Sequence, residues 1–517
     1  MSTTSAYITA AAAEESVLQQ TATTVDGWFA GIADGFAAII FATIPLGGFD
    51  APIVVLWSIL AAIGFSIYFG FVQLRTPHVS LEVVRGKWTA EKDPGEVTHF
   101  QALTSAVSAT VGLGNIAGVA AAVSMGGPGA TFWMIVAGLF GMCTKFVECT
   151  LGVKYRYIDE NGVVHGGPFQ YLKVAYHKLG RIPVAIITGL FAIAIMLFGV
   201  VGGGMFQANQ AFGQLRAATG GDEGVFGSDL AALIFGIVFA ILVGVVVIGG
   251  IKSIGSVTAK LVPAMAIIYV GACLIVIAVN FANIGDAFGA IISGAFSPEG
   301  IAGGMLGVII IGVQRAAFSN EAGIGSAPIA HSAVKTRRPI SEGFVAALEP
   351  FIDTVVICTM TALVIIFAWT PEYQEALDAG SAENPVALTS AAFDSFLPGF
   401  NIVLTVAVLL FAYSTLITWS YYGIQAWRHL FGTTKVGDAI FRGIALLLVV
   451  IGCLVSTNNI FSFADSALFM CIFINVIGLV ILAPKVKEEM KQYLADRKAG
   501  RLMEDPAPLP HELAERR

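Results

Sequence analysis

Apolar residues run along this chain in blocks of about twenty, separated by short clusters of charge, proline and glycine. At ~1.5 Å per residue, a helical block of that length crosses the hydrocarbon core of a bilayer. Eleven spans are predicted, near residues 52–73, 101–124, 130–153, 183–212, 229–250, 257–280, 300–333, 342–369, 400–427, 438–457 and 460–483. A membrane β-barrel would alternate apolar and polar positions over segments of about ten residues, and the sequence has no such alternation. The stretch at 27–45 is apolar but carries Asp34 and ends at Pro45, which predicts an interfacial helix and not a twelfth span.

Two blocks are interrupted by residues that suit neither lipid nor helix. "TSAVSATVGLGNIAGVAAAVS" (104–124) contains Gly112, Gly114 and Asn115, and "QRAAFSNEAGIGSAPIAHS" (314–332) contains Ser319, Asn320, Glu321, Gly323 and Gly325. Glycine costs about 1 kcal/mol against alanine in a helix interior, and asparagine competes for backbone bonds. Backbone freed in lipid persists only where protein buries it or it lines a polar cavity. Single glycines such as Gly138, Gly189 and Gly199 read as packing positions; the two clusters do not. With the first span set aside, the breaks fall in spans one and six of ten, which predicts a five-plus-five inverted repeat with two discontinuous helices. The fold class is thus an all-α polytopic membrane protein. Its parts are an outer N-terminal segment (1–51), a peripheral span (52–73), two five-helix repeats (101–280 and 300–483) and a cytoplasmic tail (484–517), solvated or disordered beyond its start.

Composition agrees with this division. Of 517 residues 56% are hydrophobic and 12% charged, about half the charged fraction of a soluble domain. The net charge of −7 is sorted by loop. Threading eleven spans from an outside N-terminus puts all of the 28 Lys and Arg except Arg216 and Arg315 on the inner side, while Asp286, Glu299, Glu372, Glu375, Asp378 and Glu383 fall outside. Basic residues are retained in the cytoplasm during insertion, so the N-terminus is expected outside and the C-terminus inside a bacterial inner membrane. No basic stripe or zinc spacing points to nucleic acid. The six cysteines lie in apolar blocks without a CxxC pair and read as packing residues. No basic region precedes an apolar core at the N-terminus, so no cleaved signal peptide is expected.

Five motifs in order resemble the alanine/glycine:cation symporter family of bacteria and archaea: "GLGNIAGVA" (112–120), "GGPGATFWM" (126–134), "CTKFVECTLGVKYR" (143–156), "GGPFQYL" (166–172) and "QRAAFSNEAGIGSAPIAHSA" (314–333). The similarity runs from about residue 50 to 485, with Thr131 and Ile135 departing from the family's usual choices. The resemblance implies a leucine-transporter-like fold, as in the wider amino acid–polyamine–organocation transporters. It also implies sodium-coupled uptake of a small neutral amino acid, alanine or glycine or both.

A zwitterion needs donors for its carboxylate, acceptors for its ammonium and a sized pocket. The helix restarting after the first break offers free N–H groups and a partial positive charge, which assigns the carboxylate to Gly114, Asn115 and Ile116. Carbonyls near Phe318 and Ser319 suit the ammonium, and Phe318 would close one side. Gln207 can donate to a carboxylate and accept from an ammonium; the resemblance places it against substrate. Sodium prefers oxygen ligands, which points to Ser414 and Thr415 with carbonyls of Ser108 and Val111. Trp419, one turn beyond Thr415, would wall the pocket and exclude large side chains. No cofactor beyond the coupling ion is implied. Arg315 requires a buried acid, for which Glu321, Glu349 and Asp353 are the candidates. Lys145 and Glu148 read as a helix-surface pair.

Proton coupling through Glu321 is the alternative, weakened because none of the seven histidines falls mid-span. An ion channel would favour a ring of pore residues over paired breaks. No Walker loop, HExxH or GxSxG constellation supports ATP-driven transport or an enzyme.

Overall fold

A computed structural model describes residues 3–46, 49–160, 162–296 and 303–506. All eleven predicted blocks contain a helix. In chain order we label α1 Thr3–Ile40, α2 Ile53–Tyr68, α3 His99–Thr110, α4 Gly114–Gly126, α5 Gly129–Lys154, α6 Arg181–Ala218, α7 Asp229–Val247, α8 Gly250–Val279, α9 Gly304–Asn320, α10 Ala327–His331, α11 Pro339–Ala368, α12 Phe400–Phe431, α13 Lys435–Gly452 and α14 Thr457–Lys498. Among the described residues seven helices are long and apolar enough to cross a membrane, and the bent pair α3–α4 would be an eighth.

Both breaks have local causes. Thr98 starts α3 with a capping box, accepting from Gln101 N while its own N–H donates to Gln101 Oε1. The helix stops at Val111, whose ψ of 86° turns the chain away, and α4 resumes at Gly114 after a bend of 51°. At the second break α9 ends on Glu321 in the left-handed region (φ 56°), followed by Gly323 (φ 89°) and Gly325 (φ 87°). A side chain would be strained at either glycine, so "EAGIG" can hold this path where an alanine-rich segment would continue the helix. Pro328, in the first turn of α10, restarts it.

Backbone bonds join the segments leading into α3 and out of α10. The strand-like run before α3 pairs with the run after α10: Glu96 N donates to Ala333 O (2.7 Å) and Lys335 N to Val97 O (2.8 Å). Arg156 clasps both runs, donating to Ser332 O, Val334 O, Pro94 O and Thr336 O at 2.5–2.8 Å.

The termini differ from expectation. The N-terminal helix ends at Ile40, before the expected end near Pro45; Thr43–Leu46 (β1) pairs antiparallel with Phe49–Pro52 (β2) across the junction of the predicted interfacial helix and the first span. α1 docks on α14, with Phe29 and Phe36 against Phe463 and Asp26 Oδ1 accepting from Ser456 N (2.9 Å) at the start of α14. The tail is ordered further than its charge predicts. α14 continues to Lys498, and the next residues fold back so that Leu502 is buried. Arg338 holds them, donating to Leu502 O (3.0 Å), Arg501 O (3.1 Å), Glu504 O (2.9 Å) and Asp496 Oδ2 (2.8 Å). The remaining tail, 507–517, lies outside the described residues.

Candidate substrate and ion site

The breaks meet. A Cβ on Gly114 would stand 3.4 Å from Ser319 Cα and 3.6 Å from Phe318 Cδ1. Three helices, α4, α6 and α11, have π-helical turns beside this junction, at Gly114–Gly118, Val201–Met205 and Phe351–Cys358. Such turns concentrate where backbone is bent to present functional groups. Polar side chains gather in two cells around the junction.

The first cell joins the end of α3 to α12. Ser108 Oγ donates to Ser414 O (2.9 Å), Thr415 Oγ1 donates to Ser108 O (3.0 Å), and Thr418 Oγ1 lies 3.2 Å from Ser108 Oγ. Val111, as the terminal residue of α3, points its carbonyl out of the helical pattern. Ser108, Ser414 and Thr415 are therefore brought together, with Val111 at the end of the same α3, all buried and without a formal charge. Gln207 stands beside them: its Oε1 accepts from Leu113 N (3.2 Å) and its Nε2 donates to Gly202 O (3.3 Å). It supports the first break directly.

The second cell is built on Asp353. Its Oδ1 accepts from Asn115 Nδ2 (2.6 Å), and its Oδ2 accepts from Ser319 Oγ (2.6 Å) and Thr354 Oγ1 (2.7 Å). Asn115 Nδ2 is also 3.2 Å from Ser319 Oγ, while Asn115 Oδ1 accepts from Gly112 N (3.0 Å). Asn320 Nδ2 donates to Thr354 Oγ1 (3.0 Å). One buried carboxylate thus links the restart of the first broken helix to the end of the second. The sequence reading missed this role; the available signal was an acid inside an apolar span, one helical turn beyond Glu349 and suspect by default.

Around the junction the backbone is only partly satisfied. Asn115 N and Ile116 N make long turn bonds (3.2 and 3.3 Å), which leaves the start of α4 poor in strong acceptors. Ser319 and Phe318 still lie in the last turn of α9, so the unwinding falls at Glu321–Ser326, a few residues later than expected. Their carbonyls are helix-terminal and lack intrahelical donors. The walls are aromatic. Phe198 packs edge-on against Trp419 (4.7 Å) and Phe318 (5.9 Å), and Phe206 against Phe318 (5.3 Å). Trp419 Nε1 donates to Glu321 Oε1 (3.1 Å), and Ser326 Oγ donates to Glu321 Oε2 (2.5 Å). Trp419 thus connects α12 to the second break. The indole lies directly on Gly203 and, more loosely, on Gly199, where a Cβ would sit 3.1 Å from Trp419 Cε3.

Three charge assignments are corrected. Arg315 pairs with Asp465 of α14, not with Glu321, Glu349 or Asp353, and its guanidinium lies over Phe461 (4.9 Å) and Phe318 (5.5 Å). Lys145 and Glu148 are fully buried, not on a helix surface: Lys145 Nζ is 3.1 Å from Glu349 Oε2 and 3.9 Å from Glu148 Oε1. His331 is buried beside the second break, with Nδ1 at 2.5 Å from Glu342 Oε1 and Nε2 on Glu349, and His99 meets the other oxygen of Glu342. The histidine argument against proton coupling therefore does not stand. Cys149, His331 and Glu349 lie close enough to hold a metal, but both ring nitrogens of His331 already face carboxylates. The six cysteines are free and buried.

Paired helix breaks joined by buried polar groups, with aromatic walls, define a secondary transporter for a small solute. A structural comparison agrees on the fold: the crystal structure of MhsT in complex with L-phenylalanine superposes with a TM-score of 0.51 at 17% identity, covering 80% of this chain and 94% of that one. The sequence profile of the sodium:alanine symporter family matches residues 40–506, and the chain belongs to that family. Relatives include the sodium/alanine symporter AgcS of Methanococcus maripaludis, 39% identical over 83% of this chain and 91% of the relative. The probable sodium/glutamine symporter GlnT of Bacillus subtilis is 32% identical over 86% of this chain and 90% of its own. The protein is a multi-pass membrane transporter of amino-acid-carrier ancestry, not an enzyme.

Proposed function

We propose that the protein imports alanine, glycine or both together with sodium by alternating access, with its N-terminus outside and its C-terminus in the bacterial cytoplasm. The observation carrying this reading is the contact of the two breaks beside an uncharged oxygen cell. In it, Ser108, Val111, Ser414 and Thr415 take sodium. The carboxylate of the amino acid lies at the weakly engaged amides of Gly114, Asn115 and Ile116, with Gln207 at its flank. The ammonium lies at the terminal carbonyls of Phe318 and Ser319. Phe318 and Trp419, braced by Phe198, leave room for a methyl group or a hydrogen. The names of AgcS and GlnT indicate that family members differ in side-chain preference, so the aromatic wall supplies the argument for a small substrate here.

The test is uptake of radiolabelled alanine and glycine into proteoliposomes under an imposed inward sodium gradient, with glutamine, serine and leucine as competitors. Accumulation that requires sodium and is blocked by alanine supports the reading; equal uptake with potassium on both sides defeats it. A second reading, proton coupling at Glu321, is favoured by the burial of that carboxylate, which is held by Ser326 and Trp419 and forms no ion pair among the described residues. It predicts accumulation driven by a pH gradient in sodium-free buffer.

A further inference from the structure

Away from the breaks, a cavity of ≈ 610 Å³ opens between the start of α6 and the end of α12. Its mouth carries Lys173, His177, Arg181 and His429, and no carboxylate lines it. None of the four makes an ion pair with another described residue. His177 Nδ1 bonds Val174 O (2.7 Å), so its Nε2 remains outward, and His429 is held flat against Phe169 (5.0 Å). Gly180 precedes α6 without a side-chain cap and Pro183 has no N–H, so the amides of Arg181 and Ile182 are the ones that add to the positive field at the mouth.

The rest of the lining is different in kind. Val184, Ala185, Gly189 and Leu430 continue the cavity along α6 for about 12 Å beyond Arg181, at ~1.5 Å per residue. A Cβ on Gly189 would meet only Leu430 Cδ2, at 4.0 Å, so this part of the groove is open. Ile182 and Ile186 on the same helix are 74% and 56% exposed, as expected of a surface facing acyl chains.

The geometry points to a binding site for one anionic phospholipid, its phosphate held by Lys173, Arg181 and the amides of Arg181 and Ile182 and one acyl chain laid along Val184–Gly189 and Leu430. A free phosphate would use the mouth and leave the groove idle; a zwitterionic lipid would use the groove but bring a cation to Lys173 and Arg181. Basic pockets between helices on the cytoplasmic side are where anionic head groups bind. The site is remote from the breaks, and its test does not depend on which solute is carried.

Native mass spectrometry of the full-length protein in detergent, titrated with phosphatidylglycerol or phosphatidylcholine, reads this directly. Wild type is expected to retain phosphatidylglycerol in preference, and inorganic phosphate at equal concentration is expected not to displace it. Lys173→Gln with Arg181→Gln, both at exposed positions, should weaken phosphatidylglycerol binding about thirtyfold, the product of two surface charge contacts. Gly189→Leu, which fills the groove and leaves every charge, should also weaken it. Unchanged binding by the double variant would overturn the proposal, as would displacement by phosphate together with an indifferent Gly189→Leu, which would mark a bare anion site.

Discussion

Replacing Asp353 by asparagine keeps the shape of the second cell and removes its charge. The carboxylate accepts from Asn115, Ser319 and Thr354 at 2.6, 2.6 and 2.7 Å. An amide has one oxygen, so the Asn115 bond survives while the oxygen that received both hydroxyls becomes a donor. Bonds to a charged group are worth about 1.5–3 kcal/mol each. Hydroxyls can rotate to accept instead, but Ser319 Oγ already lies within reach of Asn115 Nδ2 (3.2 Å) and Thr354 Oγ1 takes the Asn320 bond (3.0 Å). The net loss is therefore about 2–3 kcal/mol, roughly thirty- to a hundred-and-fifty-fold in an equilibrium constant. Because the bonds link the two breaks, the loss should fall on substrate affinity, since the amino acid binds where α4 and α9 meet. Equilibrium binding of radiolabelled alanine to purified protein measures it, with far-ultraviolet circular dichroism as the check on folding. An Asp353→Asn protein that is folded and binds alanine within threefold of wild type would refute the argument that this carboxylate joins the breaks.

Other substitutions probe other contacts. Asn115→Ala removes the donor to Asp353 and the acceptor for Gly112 N, and should abolish alanine uptake in protein that still inserts and purifies. Gly203→Ala places a methyl inside the Trp419 ring, which its bond to Glu321 and its contact with Phe198 prevent from moving; overpacking of about 1–3 kcal/mol should appear as lost uptake with a lowered melting temperature. Arg315→Met leaves Asp465 without its cation and should cost about 3–5 kcal/mol, whereas Arg315→Met with Asp465→Leu should recover much of that in the melting temperature.

The breaks were legible because glycine and asparagine inside apolar runs are costly in lipid, and that signal is local. It located Ser108, Asn115, Phe318 and Ser319 near the junction, and the structure brings them there; Thr415 was reached separately, from the oxygen preference of sodium. Partner choice was not legible. Arg315 and Asp465 are 150 positions apart, and no periodicity tells which helix faces α9. The i,i+3 spacing of Lys145 and Glu148 established a shared helix face but not that α11 covers it with Glu349. Charge density misled in the tail, because a charged segment is solvated only if no opposite group awaits it. Arg337 and Arg338 do, binding Asp505 and Asp496 at 2.9 and 2.8 Å. The second break was placed slightly early because Ser and Asn in the last turn of a helix look the same in sequence as Ser and Asn beyond it.

Radiosodium binding at equilibrium, to wild type and to Thr415→Val, tests the oxygen cell most directly. Thr415→Val keeps the volume of the side chain and deletes the hydroxyl that now rests on Ser108 O at 3.0 Å. Wild type should bind sodium saturably, more tightly in the presence of alanine, and the variant should bind at least tenfold more weakly while remaining folded. Equal sodium binding by the two proteins would contradict the placement of the ion between α3 and α12.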